Sequence, residues 1–297
     1  MSEKKTLILG ATGFLGRYFQ ENSLLNSVCH SSEPNQKTQV VNKKFIYQKF
    51  EFEKDIDYLF NLKNVNRLIN CVAISDISKC EEQPDLAKWV NSEIPRLLAK
   101  KCHSKGIQFV HISTDAVFSG EYSFPTESSI PEPKSIYGIS KLAGENYIRE
   151  SNQTAMICRV NFIGWSNRGQ SLFNFIYSNL HAKKSFTGFE DIFFTPLYAA
   201  DTVKIILELA NKKSLGTFHV VGSERISKYQ FAKLVAQKFG LDDSYIERGR
   251  AEKSSFGLHR NKDLSLSNAT LINLGFKIPL LSDGLDRLLV ELENMNE

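Results

Sequence analysis

Three glycines at the spacing Gly10-x-x-Gly13-x-x-Gly16 stand between an apolar run, Thr6–Leu9, and a stretch of helical periodicity, Leu15–Leu25. No other feature limits the fold so much. A chain passing from strand to helix in so few residues must turn sharply and pack helix on strand with no side chain between them. Such a turn also leaves backbone N–H groups at the helix start aimed at an anion such as a pyrophosphate. Chance supplies such a glycine triplet only about 0.06 times in a chain of this composition. Its place at the first strand-to-helix turn predicts the opening unit of a dinucleotide-binding sheet.

The rest of the first half agrees with that start. Short strands are expected at Val28–His30, Phe45–Phe50, Arg67–Ala73 and Gln108–Ser113, with helices at Asp55–Leu62, Asp85–Ser104 and Ser135–Glu150. This alternation predicts an α/β fold: a Rossmann-type, doubly wound parallel sheet with a smaller α/β cap. The Gly120–Ser135 stretch, with Pro125, Pro131 and Pro133, reads as a loop long enough for a lid or a substrate wall. Past a strand at Ala155–Asn161 the rhythm loosens. Helices are expected at Ser171–His181, Asp201–Asn211, Ser227–Phe239 and Asp283–Asn294, with a strand at Thr217–Val221. The expected division is 1–162 for the sheet domain, with 196–221 returning to it, and 163–195 plus 222–297 for a substrate-binding domain.

Composition excludes more than it identifies. With 42% hydrophobic and 24% charged residues and a net charge of +4, the chain suits a globule with a sizeable core and gives no sign of a nucleic-acid partner. No apolar run reaches membrane-spanning length and no signal sequence is apparent, so a cytoplasmic protein with reduced thiols is expected. The five scattered cysteines include no C-x-x-C pair, and no metal site is expected. Arg248, Arg250, Lys253 and Arg260 form a late basic group that would suit the diphosphate of an acidic substrate.

Tyr137 and Lys141 lie four residues apart on an expected helix and so share one face. A lysine ammonium there favours the phenolate and brings tyrosine towards neutrality as an acid or base. About one Tyr-x-x-x-Lys is expected by chance, so context decides. Tyr229 and Lys233 repeat the spacing far from any suitable strand end. Tyr137 and Lys141 follow both the glycine loop and the strand ending Ile112-Ser113-Thr114-Asp115, where Thr114 could bond the same substrate oxygen.

The loop Gly10–Gly16, the Ser113-Thr114-Asp115 strand end, Tyr137-x-x-x-Lys141 and Arg159-Val160-Asn161 resemble an extended short-chain dehydrogenase/reductase. Val117-Phe118-Ser119-Gly120, Pro125-Thr126-Glu127 and Tyr137-Gly138-x-Ser140-Lys141 are similar to the dTDP-4-dehydrorhamnose reductase family, whose members reduce a 4-keto nucleotide sugar with NAD(P)H. The likeness runs along nearly the whole chain. It implies Thr114, Tyr137 and Lys141 as the catalytic trio, with Tyr137 protonating the alkoxide. Gly10, Thr12, Gly13, Phe14, Leu15 and Gly16 would line the pyrophosphate, and Glu51, Phe52, Val72, Ala73, Ile74 and Asn91 would border the adenosine and pyrophosphate. Tyr137 and Lys141 also reach the nicotinamide ribose. His30, Ser31 and Ser32, with no acid before Glu33, favour NADP while leaving NAD possible. Asn174 and Arg260 are candidate grips on the sugar nucleotide.

Three departures from the family pattern bear on function. Ser119 replaces the usual aspartate and Ala116 the usual aromatic residue, both flanking the substrate wall. Arg17 stands where some members place a glutamate used in a magnesium-linked dimer, so that metal site is not expected, although a homodimer remains open. Ala116 also lacks the glutamate that a sugar 4,6-dehydratase would need. A nucleotide-sugar 4-epimerase stays open as an alternative. So does a role like that of the regulatory subunit of methionine adenosyltransferase, which binds NADP and serves a partner.

Overall fold

The computed structural model describes residues 5–22, 27–31, 44–47, 56–57, 59–169, 171–251 and 262–296. Its main sheet contains β1 (Lys5–Leu9), β2 (Ser27–Ser31), β3 (Lys44–Tyr47), β4 (Val65–Asn70), β5 (Gln108–Thr114), β6 (Met156–Val160) and the strand Gly216–Val220. The spatial order is β3-β2-β1-β4-β5-β6, followed by Gly216–Val220. The four pairings that join β3 to β5 are all parallel. Strand order therefore reverses between β1 and β4, and a parallel sheet opens its ligand crevice at the carboxyl ends of such a pair. The glycine loop follows β1, and residues 71–74 follow β4.

One face of this sheet is held by apolar packing. Leu7, Leu9, Leu68, Phe109 and Ile157 meet Ile94, Leu98 and Ile148, all essentially buried. Helices Ile94–Lys105 and Ile136–Ser151 supply the opposing side chains. The first belongs to a longer helical run that opens at Pro84, as expected, and holds a turn absent from the sequence expectation. Trp89–Glu93 is wound as a π-helix, and the Ile94 N–H bonds to the Trp89 carbonyl. Pro95, which brings no N–H to the ladder, accounts for the widened turn. Gly144 lies against it, where a Cβ would overlap the Asn91 carbonyl. The strand expected to end at Ala73 stops at Asn70, and the helix Ile77–Glu82 was not anticipated. The first helix, α1, is Phe14–Glu21 with Asn22 as its C-cap, and the remaining residues of the expected Leu15–Leu25 helix, 23–25, lie outside the described residues.

The chain divides into two compact units: 1–114, 135–158 and 206–217 in one, and 115–134, 159–205 and 218–297 in the other. The borders differ from those expected. The first unit ends at Cys158 instead of residue 162, the returning segment is 206–217 instead of 196–221, and the loop 115–134 belongs to the second unit. Hydrogen bonds explain the loop. Ser123 Oγ donates to Asp263 Oδ2 (2.5 Å), the Phe124 N–H to Ser265 Oγ (3.2 Å), and the Ser267 N–H to the Pro125 carbonyl (3.0 Å). Glu127 accepts from the His219 N–H (3.0 Å) and from Thr270 Oγ1 (2.8 Å). A segment fastened at this many points is held as part of the second unit.

Within the second unit, Phe186–Phe189 pairs in parallel with Ile246–Gly249, and Phe193–Phe194 lies between Ile226–Ser227 and Asp263–Leu264. Its helices start where the sequence offers caps. Ser171 caps Leu172–His181, and Ser227 with Gln230 forms a capping box ahead of Lys228–Lys238. Among the described residues no helix is long and apolar enough to cross a membrane.

Gly144→Ala is predicted to lower the urea midpoint by the equivalent of about 2 kcal/mol, because the new methyl has only backbone to push against. An unchanged midpoint would show that the helix contact is looser than described.

Candidate active site

The glycine loop is built as its spacing requires. Gly10 has φ +74, and a Cβ there would press on the Cys71 carbonyl group and the Val72 nitrogen at 3.0–3.1 Å. The Gly13 N–H bonds to the Gly10 carbonyl (2.9 Å), closing the turn. A Cβ at Gly16 would overlap that same carbonyl. Gly13 is the extended N-cap of α1 and has no side chain with which to cap it. The first N–H groups of the helix thus face outward with no competing side-chain acceptor, as a pyrophosphate requires. Leu15 is buried in the core and Phe14 meets Tyr18 at a centroid distance of 6.1 Å. Arg17 bonds Glu21 (3.0 Å) and stacks on Tyr18.

Across from this loop, residues 72–74 are held by Asn91, which is fully buried. Its Oδ1 accepts the Ile74 N–H (2.9 Å), and its Nδ2 donates to the Ile74 carbonyl (3.0 Å) and to Ser140 Oγ (3.1 Å). Both amide hydrogens are therefore used within the protein. Asn91 fixes the backbone at Ile74 and ties it to the helix that carries Tyr137 and Lys141.

That helix, Ile136–Ser151, starts at Ser135, whose Oγ accepts the Gly138 N–H (3.1 Å). Glu81 Oε1 accepts the Ile136 N–H (2.9 Å), and Ser92 Oγ donates to the Ser140 carbonyl (2.7 Å). The half-buried Tyr137 lies in the first turn, and Lys141 follows one turn later at only 1% exposure. Lys141 Nζ is 2.7 Å from the Ile112 carbonyl and 3.1 Å from His111 Nε2. Burial pulls its pKa down to about 8, against the opposing pull of Glu145 and Cys71. His111 is wholly buried, and burial together with the Lys141 charge holds it well below the usual histidine range. Thr114, buried at 6%, ends β5.

His111, Asn70 and Glu145 were not singled out by the motifs, and Ser113 was quoted in one without a role. His111 and Ser113 point to the same side of β5, and each meets one residue of the facing helix. His111 takes Lys141; Ser113 Oγ donates to the buried Glu145 at 2.6 Å, and Glu145 also pairs with Arg149 at 2.7 Å. Asn70 stands beside His111 at 3.1 Å. The signal was present as two polar residues alternating with Val110 and Ile112 in an otherwise apolar strand, opposite a Lys141–Glu145 pair at helical spacing.

The substrate candidates fare less well. Asn174 is buried, with Oδ1 accepting the Ser166 N–H (2.8 Å) and the Ser171 hydroxyl, and Nδ2 donating to the Ser166 carbonyl (3.2 Å). It braces its own loop and helix cap and does not serve as a free grip on sugar. Arg248 and Arg250 both pair with Glu190, Arg250 at 2.9 Å. Arg260, Lys253, Glu51, Phe52, Ser32 and Glu33 lie outside the described residues, as do the side chains of His30 and Ser31. Ser119 is buried, and its Oγ has no hydrogen-bond partner among the described residues.

Residues 4–294 match a family model described as the RmlD substrate binding domain. A probable low-salt glycan biosynthesis reductase of Haloferax volcanii, Agl14, is 36% identical over 190 residues, covering 62% of this chain and 63% of that protein, so the chain spans less than two thirds of that relative. The methionine adenosyltransferase 2 subunit beta of Mus musculus is 28% identical over 288 residues, covering 92% of this chain and 83% of that one. A crystal structure of a dTDP-4-dehydrorhamnose reductase from Clostridium acetobutylicum superposes with a TM-score of 0.82 at 28% identity, covering 97% of this chain and 99% of the other.

The depressed Lys141 gives a stability signature. Its pKa is 10.5 when unfolded and about 8 when folded, so between these values the unfolded chain binds more protons and stability rises with pH. Below pH 8 the burial cost is fully felt. Allowing for the lost hydrogen bonds, Lys141→Met is predicted to be more stable than the native chain at pH 7 by about 2 kcal/mol. That gap should close towards pH 10.5 in denaturant titrations, and a gap independent of pH would refute the assignment.

Proposed function

The chain belongs to the RmlD substrate binding domain family, and on that footing we propose that it is an NAD(P)H-dependent reductase, of the extended short-chain dehydrogenase/reductase type, acting on a nucleotide-diphosphate sugar with a 4-keto group. One observation carries the reading. Lys141 is buried one helical turn beyond Tyr137 and bonded to the strand that ends in Thr114. Burying an ammonium without a carboxylate bonded to it is costly, and the cost is understandable where the lysine sets the acidity of a neighbouring tyrosine.

The nicotinamide cofactor supplies the hydride when bound, and the glycine loop fits its pyrophosphate because Gly10 and Gly16 leave no room for side chains and the α1 N-terminus has no side-chain cap. NADP is favoured by the absence of an acid at His30, Ser31 and Ser32. Val72, Ala73 and Ile74, fixed through Asn91, border the cofactor side of the crevice. As the carbonyl carbon is reduced, negative charge grows on its oxygen. Tyr137 donates its phenolic proton to that oxygen, Thr114 donates a hydrogen bond to the same atom, and the Lys141 ammonium stabilises the phenolate left behind.

A second reading is favoured by the 28% identity to the murine methionine adenosyltransferase 2 subunit beta over 92% of the chain. In that reading the same pocket binds cofactor and the protein serves a partner enzyme. Assay of NADPH and NADH oxidation with a panel of 4-keto nucleotide sugars separates the two. The reductase reading predicts turnover with at least one sugar, and Tyr137→Phe should lower kcat by roughly 10²–10⁴-fold while leaving NADPH affinity within a few-fold. Cofactor binding with no oxidation for any sugar would favour the binding subunit.

A further inference from the structure

Asn70, His111 and Lys141 form a buried row across the carboxyl ends of β4 and β5 whose hydrogens can be counted. The Val72 N–H donates to Asn70 Oδ1 at 3.1 Å, which turns the Asn70 amide so that Nδ2 faces His111 Nδ1, also at 3.1 Å. An amide nitrogen only donates, so Nδ1 must accept, and the single proton of a neutral imidazole then sits on Nε2. Nε2 lies 3.1 Å from Lys141 Nζ. An N–H aimed there needs a lone pair, and an ammonium has none. A neutral Lys141 amine satisfies every group: it accepts from Nε2–H, donates to the Ile112 carbonyl at 2.7 Å, and keeps one N–H in reserve.

We propose that Asn70 locks His111 in the Nε2–H tautomer, and that His111 so held is a positioning residue that favours the neutral amine of Lys141 and so sets the pH at which Lys141 loses the charge that the Tyr137 phenolate needs. This rests on the reductase reading for its role in turnover. The groups facing Lys141 are His111 and the Ile112 carbonyl from β5, Cys71 after β4, and Glu145 from its own helix. Of these, His111 alone can present an N–H to a neutral amine. The lowered pKa of Lys141 agrees with this arrangement and follows mainly from burial.

Nitrogen-15 NMR of the imidazoles in the full chain tests the tautomer without any substrate. His111, assigned by the pair of signals lost in His111→Gln, should show a protonated Nε2 and an unprotonated Nδ1. Asn70→Asp keeps an acceptor for the Val72 N–H but needs a proton from Nδ1, so it should switch the pattern and identifies His111 if the glutamine variant does not fold. In kinetics, glutamine can turn its oxygen to the ammonium without adding charge, so His111→Gln should raise the basic limb of the kcat–pH profile by about one pH unit. A protonated Nδ1 in the native chain, or a basic limb unmoved by His111→Gln, overturns the proposal. If no nucleotide sugar is turned over at any pH the reductase reading fails, and the native-chain NMR pattern still decides the tautomer.

Discussion

A lysine amine buried against the end of a parallel sheet is the constraint around which the first unit is arranged. Lys141 is 1% exposed, and its Nζ meets the Ile112 carbonyl and His111 Nε2. Such a group is tolerable, charged or neutral, only if the neighbouring backbone and side chains are held firmly, because every unpaired polar atom there adds a penalty. The firmness comes from close packing of helix on helix. Gly144 allows Ile136–Ser151 to touch the π turn, and Asn91 and Ser92 in that turn bind Ser140, the residue before Lys141. The same Asn91 sets residue 74 at the end of the 72–74 stretch, so one buried amide places both that stretch and the helix that carries Tyr137 and Lys141.

Local features of this arrangement were legible in the sequence and distant ones were not. The glycine loop could be read because its turn, its helix start and its steric demand all fall within seven residues. Tyr137 and Lys141 could be read because four-residue spacing on a helix fixes their relation before any tertiary contact forms. His111 could not be matched with Lys141, nor Ser113 with Glu145, because strand and helix are joined only by folding. Sequence also does not reveal that the Asn91 amide hydrogens go to Ile74 and Ser140, or that Asn174 bonds Ser166 and Ser171, because these partners are met only in the folded chain. The 115–134 loop was assigned to the wrong unit because its fastenings, at His219 and residues 263–270, lie about a hundred or more residues onward in the chain.

The second unit carries two of the three departures from the family pattern. Ala116 and Ser119 follow the catalytic strand directly, and the loop after them is pinned by Glu127, Ser123 and the Pro125 carbonyl. Under the reductase reading proposed above, altered residues at the root of a firmly held loop give a physical place where substrate choice could differ between family members. In the proposed reductase, Thr114, Tyr137, Lys141 and the glycine loop all belong to the first unit.

The most direct test of this account follows the hydride itself. Purified protein would be incubated with NADPH deuterated at the transferred position and with 4-keto nucleotide sugars in turn, and the products examined by mass spectrometry and proton NMR. The account predicts a product in which one deuterium is bonded to the former carbonyl carbon, with Tyr137→Phe giving little of it. Cofactor that binds tightly yet keeps its deuterium against every sugar would contradict it.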